Sequence, residues 1–410
     1  MFNIIQIELW KFVRRKKFII SLALLMTVCV FCILSTIVAA PKTRGIINEI
    51  KRTKDCINIL EEQGNLQKDK GASEAVNKGY GKIINDQKEK LIQLEKLADE
   101  NVPWQERVKQ DISYSKQYLE KNWNLPPVAQ YQERINIMKK QYYLDNNIPY
   151  DYNESIKSFY DMPAEMRIFG LLGLLIIAGI MVVDIVSGEN KPATIKLLLT
   201  KPIERRKVVL SKFIVSFFVV NGVILLFELI IFIAIGGIFG FGNSSVPAVA
   251  GTRYTSVSPE YANELKSIVI PNLSSAFLIS SGNFIVKMLV IQILAVTASI
   301  AFCFLCSTVI ENSNISTGIA VFFMGFTHAL VLLKHNGFMY RVQPPTIIDK
   351  ISAFIFTTYY DGQAVVNGDI NMKLGLDFIS YRYVLVILIV WIVLCYGISH
   401  LVFVRKDITS

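Results

Sequence analysis

The chain has 410 residues, a formal net charge of +10 and a mean hydropathy of +0.41. Hydrophobic residues make up 52% of the sequence and charged residues 19%, and the apolar residues form long runs that contain almost no charge. This segregation excludes a single soluble core and predicts a chain that crosses a membrane several times. The positive charge does not indicate nucleic-acid binding, because the basic residues are mixed with acids or lie beside the apolar runs, and no nucleic-acid-binding module is recognisable.

The sequence predicts an all-α polytopic membrane protein with six transmembrane helices and a helical extracellular insertion between helices 1 and 2. Each apolar run can cross a hydrocarbon core of about 30 Å, because an α-helix rises about 1.5 Å per residue. The predicted transmembrane helices, in chain order, are residues 18–40, 168–186, 208–239, 284–310, 315–333 and 383–404.

Residues 1–17 are predicted to form a cytoplasmic amphipathic helix. The helical period brings its apolar side chains close to one face: Phe2, Ile5, Leu9, Phe12 and Val13. This pattern is typical of a helix that lies at the membrane surface, although a plain cytoplasmic extension of the first transmembrane helix fits it equally well. The segment ends in the basic residues Lys11, Arg14, Arg15, Lys16 and Lys17, which the positive-inside rule assigns to the cytoplasm.

Alternation from this cytoplasmic start orients the rest of the chain. The connection 187–207 and the tail 405–410 then lie in the cytoplasm, and the loops 240–283 and 334–382 lie outside. The charges agree, because the connection 187–207 is rich in Lys and Arg whereas the loop 240–283 contains only Arg253 and Lys266. We therefore expect a multi-pass protein of the bacterial cell membrane with both termini in the cytoplasm. The first transmembrane helix is expected to be an uncleaved anchor.

The segment 41–165 is hydrophilic and is predicted to form an extracellular domain of helical hairpins. Apolar residues recur in it at helical spacing, and one run forms a short heptad seam: Val128, Tyr131, Ile135, Met138 and Tyr142. Breaks between helices are expected at these residues: Gly64, Gly79 with Gly81, Pro103, Pro126 with Pro127, and Pro149. The domain is either a spacer or a surface that contacts substrate or a partner.

The connection 187–207 contains the most informative pattern. Pro192 suits the first turn of a short helix and Pro202 ends it. Between these prolines, an apolar face is formed by three side chains at i, i+3 and i+4: Ile195, Leu198 and Leu199. An apolar face on a cytoplasmic loop needs a partner, which is either the membrane surface or a groove on another protein.

At this loop the sequence resembles the type-2 family of ATP-binding-cassette (ABC) exporter permeases. The first cytoplasmic loop of that family reads as Glu, a Gly-Thr pair, a Leu-Leu pair, Pro, Ser-Arg and Gly-Lys. The matching positions here are Glu189, Thr194, Leu197, Leu198, Pro202, Arg205 and Lys212, and the departures are Ala193, Glu204 and Ser211. The resemblance extends to the six-helix plan and to the opening of the chain, where Glu8, Leu9 and Lys11 match.

The resemblance implies a transmembrane permease subunit of an ABC exporter that forms the translocation pathway as a dimer. A separate ATPase subunit would dock on the coupling helix of the 187–207 loop, and the partners would be that ATPase, an identical or related second permease subunit and the lipid bilayer. The implied ATPase-coupling residues are Glu189, Thr194, Ile195, Leu198, Leu199, Pro202 and Arg205. The sequence contains no phosphate-binding G-x-x-x-x-G-K-[ST] motif, which agrees with ATP hydrolysis on a separate subunit.

Other functions remain open. Asn221 and Glu228 share one face of the third transmembrane helix, so an ion-coupled secondary transporter is an alternative, as is a membrane sensor complex that uses the extracellular helices. An enzyme is disfavoured, because the chain has only three histidines and no H-E-x-x-H motif. No catalytic residues, cofactor or metal are expected. The C-x-x-C pairs Cys29 with Cys32 and Cys303 with Cys306 lie in apolar runs and are interpreted as packing residues.

Overall fold

The computed structural model describes residues 2–39, 45–69, 74–189, 204–257, 268–335 and 345–405. The chain divides into two compact units. The first comprises Met1–Ile33, Ser158–Ser244 and Ala248–Ser410, and the second comprises Leu34–Lys157 with Ser245–Pro247.

In the described part of the chain, five helices are long and apolar enough to cross a membrane, and a bent pair of helices counts as a sixth. The spans are named here in chain order: span 1 is Lys16–Ala39, span 2 is the pair Ser158–Leu171 and Leu174–Val182, span 3 is Arg205–Phe239, span 4 is Ser281–Val309, span 5 is Ser313–His335 and span 6 is Tyr381–Arg405. The protein is therefore an all-α polytopic membrane protein, as the sequence predicts.

Span 2 bends by 55° between its two helices. Gly173 has φ of 87°, a left-handed conformation that glycine adopts without strain, and it starts the second helix. The break frees the carbonyl group of Leu171, which accepts a hydrogen bond of 3.1 Å from Nε2 of His328 in span 5. A Cβ atom on Gly170 would lie 2.1 Å from the carbonyl oxygen of Tyr360, so only glycine allows this approach. The second helix continues toward a 3₁₀ turn at Ser187–Glu189.

Span 4 lies at the centre of the first unit. It packs against spans 6, 2, 5 and 3. Small residues allow these close contacts, and several of them are almost completely buried: Ala295, Ala298, Ser299 and Ala301. Close packing of small residues is a usual way for helices to associate where water does not drive them together.

The connections between spans 3 and 4 and between spans 5 and 6 contain short strands and helices. Between spans 3 and 4, the residues described on either side of 258–267 form four short strands: Pro247–Ala250, Arg253–Val257, Ile268–Asn272 and Phe277–Ser280. The second and third strands are antiparallel, with Arg253 opposite Asn272. Short helical elements lie between spans 5 and 6: Ile347–Ser352, Phe356–Tyr360, Gly362–Asn367 and Asp369–Leu374. The two connections meet where Tyr254 donates a hydrogen bond of 2.5 Å to Asp369.

The described residues of the second unit between 45 and 157 form four helices: Ile46–Asp69, Glu74–Ala98, Trp104–Lys121 and Pro127–Asp145. The first two form a hairpin whose small core consists of Ile46, Leu94 and Leu97. The expected breaks at Gly64, Gly79 and Gly81 are wrong, because both helices run through their glycines. A Cβ atom at Gly79 or Gly81 would meet nothing within 4 Å, and one at Gly64 would make only ordinary contact with Tyr80, so no close approach holds these glycines in helices. A glycine inside a helix costs only about 1 kcal/mol relative to alanine, which the rest of each long helix and the packing of the hairpin outweigh. Pro103 and Pro126 do precede helices.

Candidate functional site

The predicted ATPase-coupling residues fall into two groups. Thr194, Ile195, Leu198, Leu199 and Pro202 lie outside the described residues. Glu189 and Arg205 are described: Glu189 directly precedes the segment 190–203, and Arg205 is the second residue after it. Asn221 and Glu228 are also described, in span 3.

A buried charged cluster lies where the 190–203 segment leaves span 2 and enters span 3. Its centre is Lys212 of span 3, whose side chain is completely buried. The Lys212 ammonium group lies 2.7 Å from Oε2 of Glu8 and 2.8 Å from Oε1 of Glu189. Lys11 completes the group, with Nζ 3.2 Å from Oε1 of Glu189 and 3.7 Å from Oε1 of Glu8. We name these four residues the Lys212 cluster.

The Lys212 cluster is balanced in charge, with two carboxylates and two ammonium groups. This balance matters because Glu8, Glu189 and Lys212 are removed from water, and a single unpaired charge there would be costly. Each of the two buried carboxylates contacts both ammonium groups. The cluster can therefore be stable only as a complete set.

The helix Phe2–Val13, named here the N-terminal helix, supplies half of the cluster. Glu8 and Lys11 are three residues apart and so lie on the same helix face, together with the buried ring of Phe12. The predicted apolar face is therefore only partly correct. Phe12 faces the protein, but Leu9 and Val13 are exposed, because the face directed at Lys212 carries charged residues.

A second charged group lies beside the first and ties span 1 to span 2. Arg15 contacts Oδ1 of Asp184 at 3.4 Å and also donates a hydrogen bond of 3.2 Å to the carbonyl group of Ile185. Lys17 contacts the other oxygen of Asp184 at 3.4 Å and donates a hydrogen bond of 2.7 Å to Thr317 of span 5. The basic residues before span 1 therefore have structural partners as well as a topological role.

The end of span 2 is also held by span 4. The hydroxyl group of Ser307 accepts hydrogen bonds of 3.0 Å from the backbone N–H groups of Val186 and Ser187. On the other side of the 190–203 segment, exposed Glu204 contacts Lys207 at 2.8 Å, and this contact lowers the pKa of the Glu204 carboxyl group. Glu204 directly precedes Arg205, where span 3 begins. The segment 190–203 thus leaves one fixed helix end and enters another.

The two polar residues predicted inside span 3 both face span 4. Asn221 donates hydrogen bonds to the carbonyl group of Phe217 at 2.9 Å and to Thr297 of span 4 at 3.4 Å. Oε1 of Glu228 accepts a hydrogen bond of 2.6 Å from Gln292 of span 4. Within the described ranges, no ion pair is formed by Glu228. Its hydrogen bond to Gln292 is thus its principal polar contact across the helices.

Several of these partners do not follow from the sequence pattern. Lys212 and Glu8 match a family pattern that does not indicate an ion pair, and no pattern singles out Gln292 or Thr297. The available signal was their polarity within otherwise apolar helices, since a buried polar group needs a partner. Among the described residues, no three His, Cys, Asp or Glu side chains are grouped in a way that could hold a metal ion.

Comparison with known proteins agrees with this architecture. The sequence matches the family described as "ABC-2 family transporter protein" over residues 2–408. It is also similar to the uncharacterized protein YhcI of Bacillus subtilis (strain 168), with 24% identity over 308 residues, which cover 74% of this chain and 85% of YhcI. The match over residues 2–408 takes in the N-terminal helix, all the spans and the Lys212 cluster. The chain belongs to the ABC-2 family of transporter proteins.

Proposed function

We propose that this chain is the permease subunit of an ABC exporter, that a separate ATPase docks on the segment 190–203, and that two permease subunits together form the pathway. Membership of the ABC-2 family supports a membrane subunit that is not itself an enzyme and that works with an ATPase. The basic residues at 11–17 and 191–212 support a cytoplasmic location for the docking segment and for both termini. The similarity to a Bacillus subtilis protein supports a location in the cell membrane of a bacterium.

The observation that carries the proposal is the contact of Lys212 with both Glu189 and Glu8. Glu189 precedes the docking segment and Lys212 follows it, so one buried ion pair holds both of its ends. A displacement of the segment by the ATPase would therefore act on spans 2 and 3 together, and on the N-terminal helix through Glu8. If the two ends of the loop moved independently, a displacement of the loop by the ATPase would not be transmitted to the spans.

The apolar side chains Ile195, Leu198 and Leu199 are the proposed contacts with the ATPase. Burying such side chains stabilises an interface by about 1.5 to 3 kcal/mol each. Thr194, Pro202 and Arg205 would shape and orient the segment, as the family pattern implies. In the pathway, Asn221 and Glu228 are proposed to fix spans 3 and 4 together, and Glu228 is the residue to test for a role in transport.

Co-purification of the ATPase tests the proposal. Leu198→Asp places a charge in the proposed contact, and recovery of the ATPase with the detergent-purified permease should fall at least about tenfold. The matched control is Leu66→Asp, the same substitution at an exposed leucine of the second unit, and it should leave recovery unchanged. Equal recovery with Leu198→Asp and with the wild type would place the docking surface elsewhere.

A further inference from the structure

The five basic residues between positions 11 and 17 divide into two sets with different surroundings. Three of them face the protein and contact carboxylates, Lys11 with Glu189, and Arg15 and Lys17 with Asp184. The other two, Arg14 and Lys16, are exposed and form no ion pair with any residue in the described ranges. Their charges are therefore available to a partner outside this chain.

The exposed cations adjoin an apolar surface of the N-terminal helix. Ile7 is 50% exposed, Trp10 is 59% exposed and Val13 is 45% exposed. The guanidinium group of Arg14 stacks on the Trp10 ring at 3.8 Å from its centroid, which holds the cation beside the indole. One face thus combines a large aromatic ring, aliphatic side chains and fixed positive charge.

We propose that this face, formed by Ile7, Trp10, Val13, Arg14 and Lys16, binds the headgroups of anionic phospholipids. Lys16 is the first residue of span 1, so both cations lie within three residues of the point where the chain enters the membrane. Phosphate groups of the lipid lie at that level, where the indole ring of tryptophan is also favoured. A guanidinium group matches the geometry of a phosphate, and the Lys16 ammonium adds a second charge.

A phospholipid fits this face better than an acidic protein surface does. Exposed apolar side chains follow directly along the chain in span 1, where Ile19 and Ile20 are 56% and 58% exposed. A partner that covers both must itself have a polar layer beside an apolar one, and this is the arrangement of a lipid leaflet. The inference depends on span 1 crossing the membrane and does not depend on the docking of an ATPase.

Calorimetric titration of the detergent-purified permease with a short-chain phosphatidylglycerol tests the inference. Short-chain phosphatidylcholine is the zwitterionic reference, and inorganic phosphate tests whether the phosphate group suffices without the lipid. Each basic residue near an anionic lipid strengthens binding about fivefold. Arg14→Gln with Lys16→Gln should therefore weaken phosphatidylglycerol binding about 30-fold. Binding of the wild type should also weaken between about 0.05 M and about 1 M salt, because salt screens exposed charges.

Two control variants distinguish loss of the lipid site from loss of total charge and from misfolding. Lys116→Gln with Lys121→Gln removes the same charge from exposed positions of the second unit and should leave binding unchanged. Arg14→Lys with Lys16→Arg keeps the charge and should retain binding within about threefold, even if the glutamine variant folds poorly. Unchanged phosphatidylglycerol affinity in the glutamine variant would overturn the inference. Equal wild-type affinity for the two lipids, or binding of inorganic phosphate as tightly as of phosphatidylglycerol, would also overturn it.

Discussion

The ammonium group of Lys212 lies 2.8 Å from Oε1 of Glu189, and neither side chain is more than 7% exposed. Glu8 contacts the same ammonium group from the N-terminal helix at 2.7 Å. Three segments that are distant in the sequence therefore meet at one lysine. The contact is a buried ion pair, and such pairs respond strongly to the loss of one partner.

Lys212→Met should lower the free energy of unfolding by about 3 to 5 kcal/mol, because Glu8 and Glu189 then remain buried without the ammonium group that lies nearest to both. Adding Glu189→Gln to Lys212→Met should restore part of this loss, because it removes one uncompensated carboxylate. Thermal unfolding in detergent measures the effect. Lys207→Met is the control, because Lys207 is exposed and its contact with Glu204 should contribute less than about 1 kcal/mol. Equal unfolding temperatures for the two lysine variants would mean that the cluster is not important for stability.

Glu228→Gln should preserve expression and folding, since the amide oxygen can still accept the hydrogen bond from Gln292. Gln292→Leu removes that donor and should destabilise the protein by about 1 to 3 kcal/mol, because it leaves the buried Glu228 carboxyl group without its cross-helix donor. Transport measured with the partner ATPase distinguishes a structural role from a functional one. If Glu228→Gln transports at the wild-type rate, the carboxyl group of Glu228 has no part in transport.

Gly170→Ala should destabilise the first unit by about 1 to 3 kcal/mol, because the new Cβ atom would meet the carbonyl oxygen of Tyr360 at 2.1 Å. The added methyl group would force span 2 away from the Phe356–Tyr360 turn. Gly222→Ala in span 3 is the matched control, because a Cβ atom there has nothing within 4 Å. Its unfolding temperature should stay the same or rise slightly. Equal effects of the two substitutions would contradict the close approach of span 2 to Tyr360.

The stability of the second unit should fall at alkaline pH because of the ionisation of Tyr152. Burial and the nearby Asp111 carboxylate, to which its hydroxyl group donates a hydrogen bond of 3.3 Å, raise the pKa of Tyr152 above its ordinary value. The folded state therefore keeps its proton while the unfolded state ionises above about pH 10. Stability from this group is present below that pH and is lost as the pH rises further. Tyr152→Phe should flatten this alkaline fall in the unfolding temperature, and Tyr118→Phe at an exposed position should not.

Labelling of single cysteines tests the orientation of the chain. In a cysteine-free background, a cysteine at Lys88 should react with an impermeant maleimide in intact cells, and a cysteine at Lys201 should react only after permeabilisation. This expectation follows from the basic residues at 11–17 and 191–212, which the positive-inside rule assigns to the cytoplasm. Equal labelling of both positions in intact cells would refute the proposed topology.

The sequence alone determined the membrane class and indicated where the long apolar helices lie, although span 2 begins at Ser158 and not at residue 168 as predicted. A transmembrane helix satisfies its backbone hydrogen bonds internally and needs only a sufficient run of apolar residues, so its existence is a local property of the chain. The loop pattern around Glu189 and Leu198 likewise pointed to the ABC-2 family without any three-dimensional information. Both conclusions depend on residues that are close together in the sequence.

Only the tertiary structure decided which polar groups meet and where helices continue or bend. Glu8 and Lys212 are separated by 204 positions, and their pairing depends on the N-terminal helix packing against span 3. Gly64 lies inside a long helix that packs against the helix Glu74–Ala98, whereas Gly173 coincides with the bend in span 2. Identical residue types thus behave differently, because the free energy of a buried charge or of a helical glycine depends on the neighbours that other parts of the chain provide.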